Sequence, residues 1–316
     1  KQPEAVPNLF ISHQINDVTW IGFGFTVPFG LSTEYDDNWE QAYEGTDAKI
    51  EVYDFNPTFA WKLSDKFSLG AGVSYQYVKA KLGFNKSVAT DSTISNTHTH
   101  TRLTGDAWGW NVGAMWTPVE NVRIGASYRS AIGHTVNGDL NVTVNNQVFS
   151  KVITTPATVS MDAPAWAMLS AAWDVNDWLS LYGTMRWADW SSFKALTVEA
   201  GKFSSSQPKN WKDTYLYSVG YDARINSFWT LRGGIAYETS TIDDKYTRTG
   251  TIPDADRWWF AIGSSFHWTK DFQTDVGFAH LHGVHERSLY NSKHEEIGKF
   301  RKLDAYIIGI QGQYRF

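Results

Sequence analysis

The stretch Val122-Arg123-Ile124-Gly125-Ala126-Ser127-Tyr128-Arg129-Ser130-Ala131-Ile132 alternates with a period of two. Its apolar set is Val122, Ile124, Ala126, Tyr128 and Ile132, and the opposite set is Arg123, Gly125, Ser127 and Arg129. That period is the signature of a strand with two unlike faces. The pattern recurs on both sides. Phe67, Leu69, Ala71, Val73, Tyr75 and Tyr77 alternate with Ser68, Gly70, Gly72, Ser74 and Gln76. Trp229, Leu231, Gly233, Ile235 and Tyr237 alternate with Thr230, Arg232, Gly234, Ala236 and Glu238. Alternation leaves two architectures open, a soluble sandwich with the apolar set inside and a membrane barrel with it outside.

Connection lengths choose between them. Tight polar turns fall near Asn16-Asp17, Ser64-Asp65-Lys66, Pro118 to Asn121, Val175-Asn176-Asp177, Ile225-Asn226-Ser227 and Thr269-Lys270-Asp271. Between them lie long polar segments, 31–47, 83–105, 135–160, 191–210, 240–254 and 283–300. Short and long connections that alternate six times match the short periplasmic turns and long extracellular loops of bacterial barrels. The terminal run Tyr306 to Phe316 places Ile308, Ile310, Tyr314 and Phe316 on one face and ends on an aromatic. The fold expected is all-β, a transmembrane antiparallel β-barrel over residues 1–316.

Composition agrees. The 316 residues include 16 Trp, 25 Gly and no Cys, with a net charge of −5, and mean hydropathy is −0.37. No run approaches the ~20 apolar residues of a spanning helix. The charge is too mild to point to nucleic acid. Six turns join twelve strands and the C-terminal strand makes thirteen. Closure of an antiparallel ring needs an even number, so about fourteen strands are expected, with one N-terminal strand absent from this chain. A ring that size is too wide for wall side chains to fill.

Four stretches in order resemble one known family. They are Phe25-Thr-Val-Pro-Phe-Gly-Leu-Ser-Thr-Glu-Tyr35; Asn210-Trp-Lys-Asp-Thr-Tyr215 with Trp229 to Glu238; Ile252-Pro-Asp-Ala-Asp-Arg-Trp258; and Lys270-Asp271 leading to Asp275-Val-Gly277. This is similar to the outer-membrane long-chain fatty acid transporter family, FadL, with its toluene and xylene importers. The resemblance implies a fourteen-stranded barrel plugged by an N-terminal hatch, here expected outside residues 1–316. It implies passive import of long-chain fatty acids or aromatic hydrocarbons, by capture among extracellular loops and sideways release through a gap at a kinked strand. It places the chain in the outer membrane of a Gram-negative bacterium, among lipid and lipopolysaccharide, and it implies no enzyme activity. A monomer is expected.

Pro28, Phe29 and Gly30 occupy the stretch where the family strand bends, and Pro with Gly inside a strand favours a bulge. Lys212 matches a family lysine in the Trp-Lys-Asp stretch, and Lys79 and Lys81 lie near the top of another strand. These three are candidates for the substrate carboxylate. Arg123, Arg129, Arg186, Arg232 and Arg257 are expected to form a lumen charge network with Glu238, Asp222 and Asp256. Val142, Val144, Val148, Phe149 and Val152 suggest an apolar loop lining, or a strand pair rising above the membrane. His98-Thr-His100 and His280-Leu-His282 each put two imidazoles on one strand face, but no third ligand marks either pair, so no metal or other cofactor is expected. Two further readings stay open, a water-filled porin and a surface receptor.

Overall fold

A computed structural model describes residues 3–34, 46–90, 93–145, 150–201, 203–248, 250, 252–285, 288–291 and 293–316. Val148 and Phe149, and most of segment 31–47, lie outside them. The chain forms β1 (Leu9–Asn16), β2 (Thr19–Glu34), β3 (Asp47–Ser64), β4 (Phe67–Thr90), β5 (Thr93–Val119), β6 (Val122–Arg129) and β7 (Ile132–Asn145). There follow β8 (Ser150–Ala163), β9 (Trp166–Asp174), β10 (Leu179–Ala188), β11 (Ala195–Ala200), β12 (Phe203–Pro208), β13 (Thr214–Arg224) and β14 (Trp229–Glu238). The last are β15 (Arg257–His267), β16 (Phe272–Gly283), β17 (Ser288–Tyr290), β18 (Glu296–Lys299) and β19 (Asp304–Tyr314).

One antiparallel sheet holds seventeen of these strands, and β17 and β18 form a separate hairpin. β6 and β7 are two halves of one span, because β6 pairs with the lower part of β5 and β7 with its upper part. β9 and β8 divide the next span in the same way. β11 and β12 form a rim hairpin on β8. Counting the halves together gives thirteen spans among the described residues, so β1 and β19 run in the same direction. Among the described residues β1 pairs with β2 and β19 with β16.

All six tight turns fall where the sequence puts them. Asn side chains close three of them. The Asn16, Asn176 and Asn226 carbonyl oxygens each accept from the backbone two and three residues on. Spans β13, β14, β15, β16 and β19 have 10–12 residues, the length a tilted membrane strand needs. β4 and β5 reach 24 and 27 residues. Segments 83–105 and 135–160 are thus mostly strand that rises past the membrane, not loop, because their own alternation pairs them edge to edge.

The apolar set faces outward. Phe25, Phe55, Tyr75 and Trp108 form a continuous outer row, with centroid separations of 5.1, 6.2 and 4.9 Å between neighbours. Trp258, Phe260, Ile262, Ile308 and Ile310 are exposed on the same surface. Such a belt of lipid-facing aromatics and aliphatics is what a hydrocarbon solvent requires. Ile132 departs from the sequence reading. The break at Ser130-Ala131 shifts the phase by one residue, so Ile132 turns inward and is buried.

Candidate functional site

Toward the extracellular end the two wall faces exchange character. In β4, Tyr75 and Tyr77 face out, yet the next outward residues are Lys79 and Lys81, while Val78 and Ala80 are buried inside. The inner cluster collects Val52, Val78, Ala80, Leu103, Val136, Ala157, Val159 and Ala200, with Phe29 and Ile50 packed on it. The polar lumen therefore ends in an apolar mouth.

Phe29 reaches that mouth because of a bulge. β2 pairs one-to-one with β3 up to Thr26↔Asp54 and resumes at Phe29↔Val52, so Val27 and Pro28 together oppose Tyr53. Pro28 has no N–H to give to the ladder, which suits it to that position. The extra residue flips the alternation, and Phe29 faces in where Phe23 and Phe25 face out. Gly30 falls opposite Glu51, and a Cβ built there would meet nothing within 4 Å. β1 stops at Leu9↔Phe25. Above that point, among the described residues, β2 is paired on the β3 side alone.

Inside the mouth Phe29 meets Trp190 edge-on at 6.2 Å, Trp190 meets Trp211 at 5.3 Å, and Phe193 stacks on Trp211 at 4.9 Å. Asp213 fixes this cluster. Its carboxylate accepts from Trp187 Nε1 at 2.9 Å and from the Ser191 amide at 3.1 Å. Burial alone would push the Asp213 carboxyl up; these donors outweigh it and hold it below the usual carboxylate range. Lys212, next to Trp211, pairs with Asp243 at 3.6 Å in the exposed rim. Lys79 and Lys81 are not beside it. They stand on the outward face, Lys79 over the Tyr53 and Tyr77 rings at 5.3 and 5.8 Å.

Below the mouth, the five arginines divide into separate groups. Arg129 binds Asp54 and donates to Ser74 at 2.9 Å. Asp54 is wholly buried, and the sequence reading did not include it, although it shares the inner face with Val52 and Asn56. Arg186 donates to Glu238 at 2.7 Å, and Arg257 lies 3.7 Å from the same carboxylate and also binds Asp254. Arg232 lies between Asp222 at 3.3 Å and Asp275 at 3.6 Å. Arg123 pairs near the periplasmic turns with Asp174 at 3.6 Å. Asp256 meets none of them in these groups; it accepts from Tyr237 at 2.7 Å and the Ser240 amide at 2.7 Å, and lies 3.1 Å from His285 Nδ1. The residues missed by sequence reasoning, Trp190, Phe193 and Asp213 above all, come from a connection whose polar composition hid its aromatics.

Outward apolar strands, short turns on one side and long extensions on the other define an outer-membrane β-barrel. The family described as outer membrane protein transport protein (OMPP1/FadL/TodX) matches residues 1–316, and the chain belongs to it. It is 29% identical to the 47 kDa outer membrane protein of Pasteurella multocida, over 98% of this chain and 77% of that protein. It is 27% identical to a long-chain fatty acid transport protein of Escherichia coli, over 88% of this chain and 69% of that one. Among solved structures it resembles a Pseudomonas aeruginosa FadL homologue, with a TM-score of 0.83, 24% identity, and 98% and 76% of the two chains covered. It also resembles the Ralstonia pickettii toluene transporter TbuX, with a TM-score of 0.72, 18% identity, and 98% and 80% covered.

Proposed function

We propose that this barrel passively imports long-chain fatty acids or related hydrophobic molecules, taken up at the apolar mouth and released sideways into the outer leaflet beside β2. The bulge at Val27-Pro28 carries the reading. It turns Phe29 into the apolar cluster at the height where β2 pairs with β3 alone. A greasy ligand leaving the mouth there passes from the apolar cluster to the aromatic belt that begins just below it, at Phe25, Phe55 and Tyr75. The gain of roughly 0.8 kcal/mol per buried CH₂ then drives transfer without an energy source. Relatives named for long-chain fatty acid transport and for toluene transport support the substrate class. Lys212, beside Trp211, is our candidate for the fatty acid carboxylate. Lys79 and Lys81 fit the surrounding lipid better than the substrate. Lys49, Lys81 and Arg102 stand in one cross-strand row on the outward face, just above the aromatic belt. Lys49 is already answered by Glu4 at 3.2 Å and Glu51 at 3.3 Å; Lys81 and Arg102, like charges set opposite one another, repel, and lipopolysaccharide phosphates would relieve them. The working unit is a monomer.

The test is uptake of labelled oleate, toluene and a small sugar by cells lacking their own importer. The complete protein is compared with Gly30→Arg and with a deletion of Pro28. The deletion restores one-to-one pairing and keeps Phe29 opposite Val52. Oleate uptake lost in both variants, with the barrel assembled, is the expected result; toluene in its place changes the substrate only. Sugar permeation, or oleate entry indifferent to both changes, overturns the reading in favour of a porin.

A further inference from the structure

On the outward surface of the last two spans, three potential metal ligands converge. β16 and β19 pair so that His282 lies directly opposite Asp304 and His280 opposite Tyr306. Residues two apart on a strand share a face, so His280 and His282 point the same way, toward the Asp304 carboxylate between them. His282 Nδ1 lies 2.8 Å from Asp304 Oδ1, and His280 Nε2 lies 4.0 Å from Asp304 Oδ2. One nitrogen or oxygen from each of the three falls within 4.8 Å of the others. His280 is held in place by its ring, which stacks on Tyr306 at 4.8 Å and 9°. Its Nε2 is shielded from solvent yet has no hydrogen-bond partner. An orphaned ring nitrogen aimed at a carboxylate is poorly served by protein alone.

We infer that His280, His282 and Asp304 form a binding site for a zinc-class divalent ion at the extracellular rim. Two imidazoles and one carboxylate are a common zinc ligand set with the fourth tetrahedral position left to water. Ligand atoms around tetrahedral zinc sit about 3.3 Å apart, given zinc–nitrogen distances of about 2.0 Å. The observed 2.8 and 4.0 Å, measured to the two carboxylate oxygens, bracket that value, and one atom from each residue lies within 4.8 Å of the others, so side-chain rotation can close the set. The bound ion would clamp β19 to β16 where the two spans leave the membrane. The sequence marks only half of this site. His280-Leu-His282 is visible as a pair, but Asp304 is 22 residues further along the chain and meets it only through the strand register. The proposal is independent of what the barrel transports.

The measurement is calorimetric titration of Zn²⁺ into the tag-free, full chain in detergent, with Co²⁺ absorption as a second readout of ligand type. Barrel assembly is checked by heat-modified gel migration. One equivalent of Zn²⁺ should bind. His282→Ala, His280→Gln and Asp304→Asn, each assembled, should weaken it by about tenfold or more, and Co²⁺ should give a tetrahedral spectrum in the parent only. The double variant His98→Ala/His100→Ala should bind like the parent. No binding at about 1 mM metal, or binding that survives loss of His282 and disappears with His98 and His100, overturns the assignment.

Discussion

Phe29 stands edge-on to Trp190, their ring centroids 6.2 Å apart and their planes at 81°. The contact joins the bulged wall strand to the connection that follows β10, so the apolar mouth and the edge of β2 that is unpaired among the described residues share one side chain. Phe29→Ala should leave the barrel assembled, because the strand's ladder does not need the ring. Oleate uptake should fall by about tenfold, the loss expected when ~1.4 kcal/mol of favourable contact on the transport path is removed. Unchanged uptake would remove Phe29 from the path.

Asp54 is buried in its pair with Arg129, whose side chain is 17% exposed. Removing one member of such a pair strands the other. Asp54→Ala should lower stability by about 3 kcal/mol, whereas the double change Asp54→Leu/Arg129→Met should recover most of it. Urea unfolding in lipid vesicles reads both. An unaltered midpoint in the single variant would show that water already reaches the guanidinium.

Lys212 offers a test that separates substrate classes. An ammonium recognises a carboxylate and has nothing to offer toluene. Lys212→Ala should reduce oleate uptake and leave toluene entry alone, and Lys212→Arg should restore part of the loss. Equal reduction of both would assign the lysine to holding the rim through Asp243.

The outward pair Lys81 and Arg102 predicts a lipid dependence. Lys81→Glu/Arg102→Glu should lower the lipopolysaccharide that copurifies with the barrel, with folding and oleate uptake by cells retained. Electrostatic attraction of a surface cation to anionic lipid is worth about 1 kcal/mol per charge, so the decrease should be several-fold and weaken with salt. Copurification unchanged in the variant would end that reading.

Asp213 sets a pH limit on the mouth. Its folded value lies below the ordinary carboxylate one, so its contribution is complete above about pH 3.9 and lost as pH falls through the folded value. Tryptophan fluorescence of the Trp187, Trp190 and Trp211 group should therefore hold steady down to that pH and change beneath it. In Asp213→Asn the transition should be missing. A transition centred well above pH 4, or one untouched by the substitution, would assign it to another group.

Much of this was legible in the one-dimensional pattern. Period-two alternation, Asn-closed turns and the unequal connections follow from local chemistry, and they determined the barrel, its direction of threading and thirteen spans. Tyr75, Tyr77, Lys79 and Lys81 even record in order where the wall leaves hydrocarbon, because the outward set stops being apolar there. What the sequence could not decide is everything that depends on register between distant strands. Whether Val27-Pro28 forms a bulge is settled by which residues of β3 oppose them, and that choice turns Phe29 inward. Arg129 finds Asp54 across 75 residues and Arg186 finds Glu238 across 52, while Asp256, equally charged, is taken up by Tyr237 and Ser240. A charge in the sequence announces that it needs a partner. Only the folded sheet, by fixing which side chains stand opposite across a few ångströms, decides which one it gets.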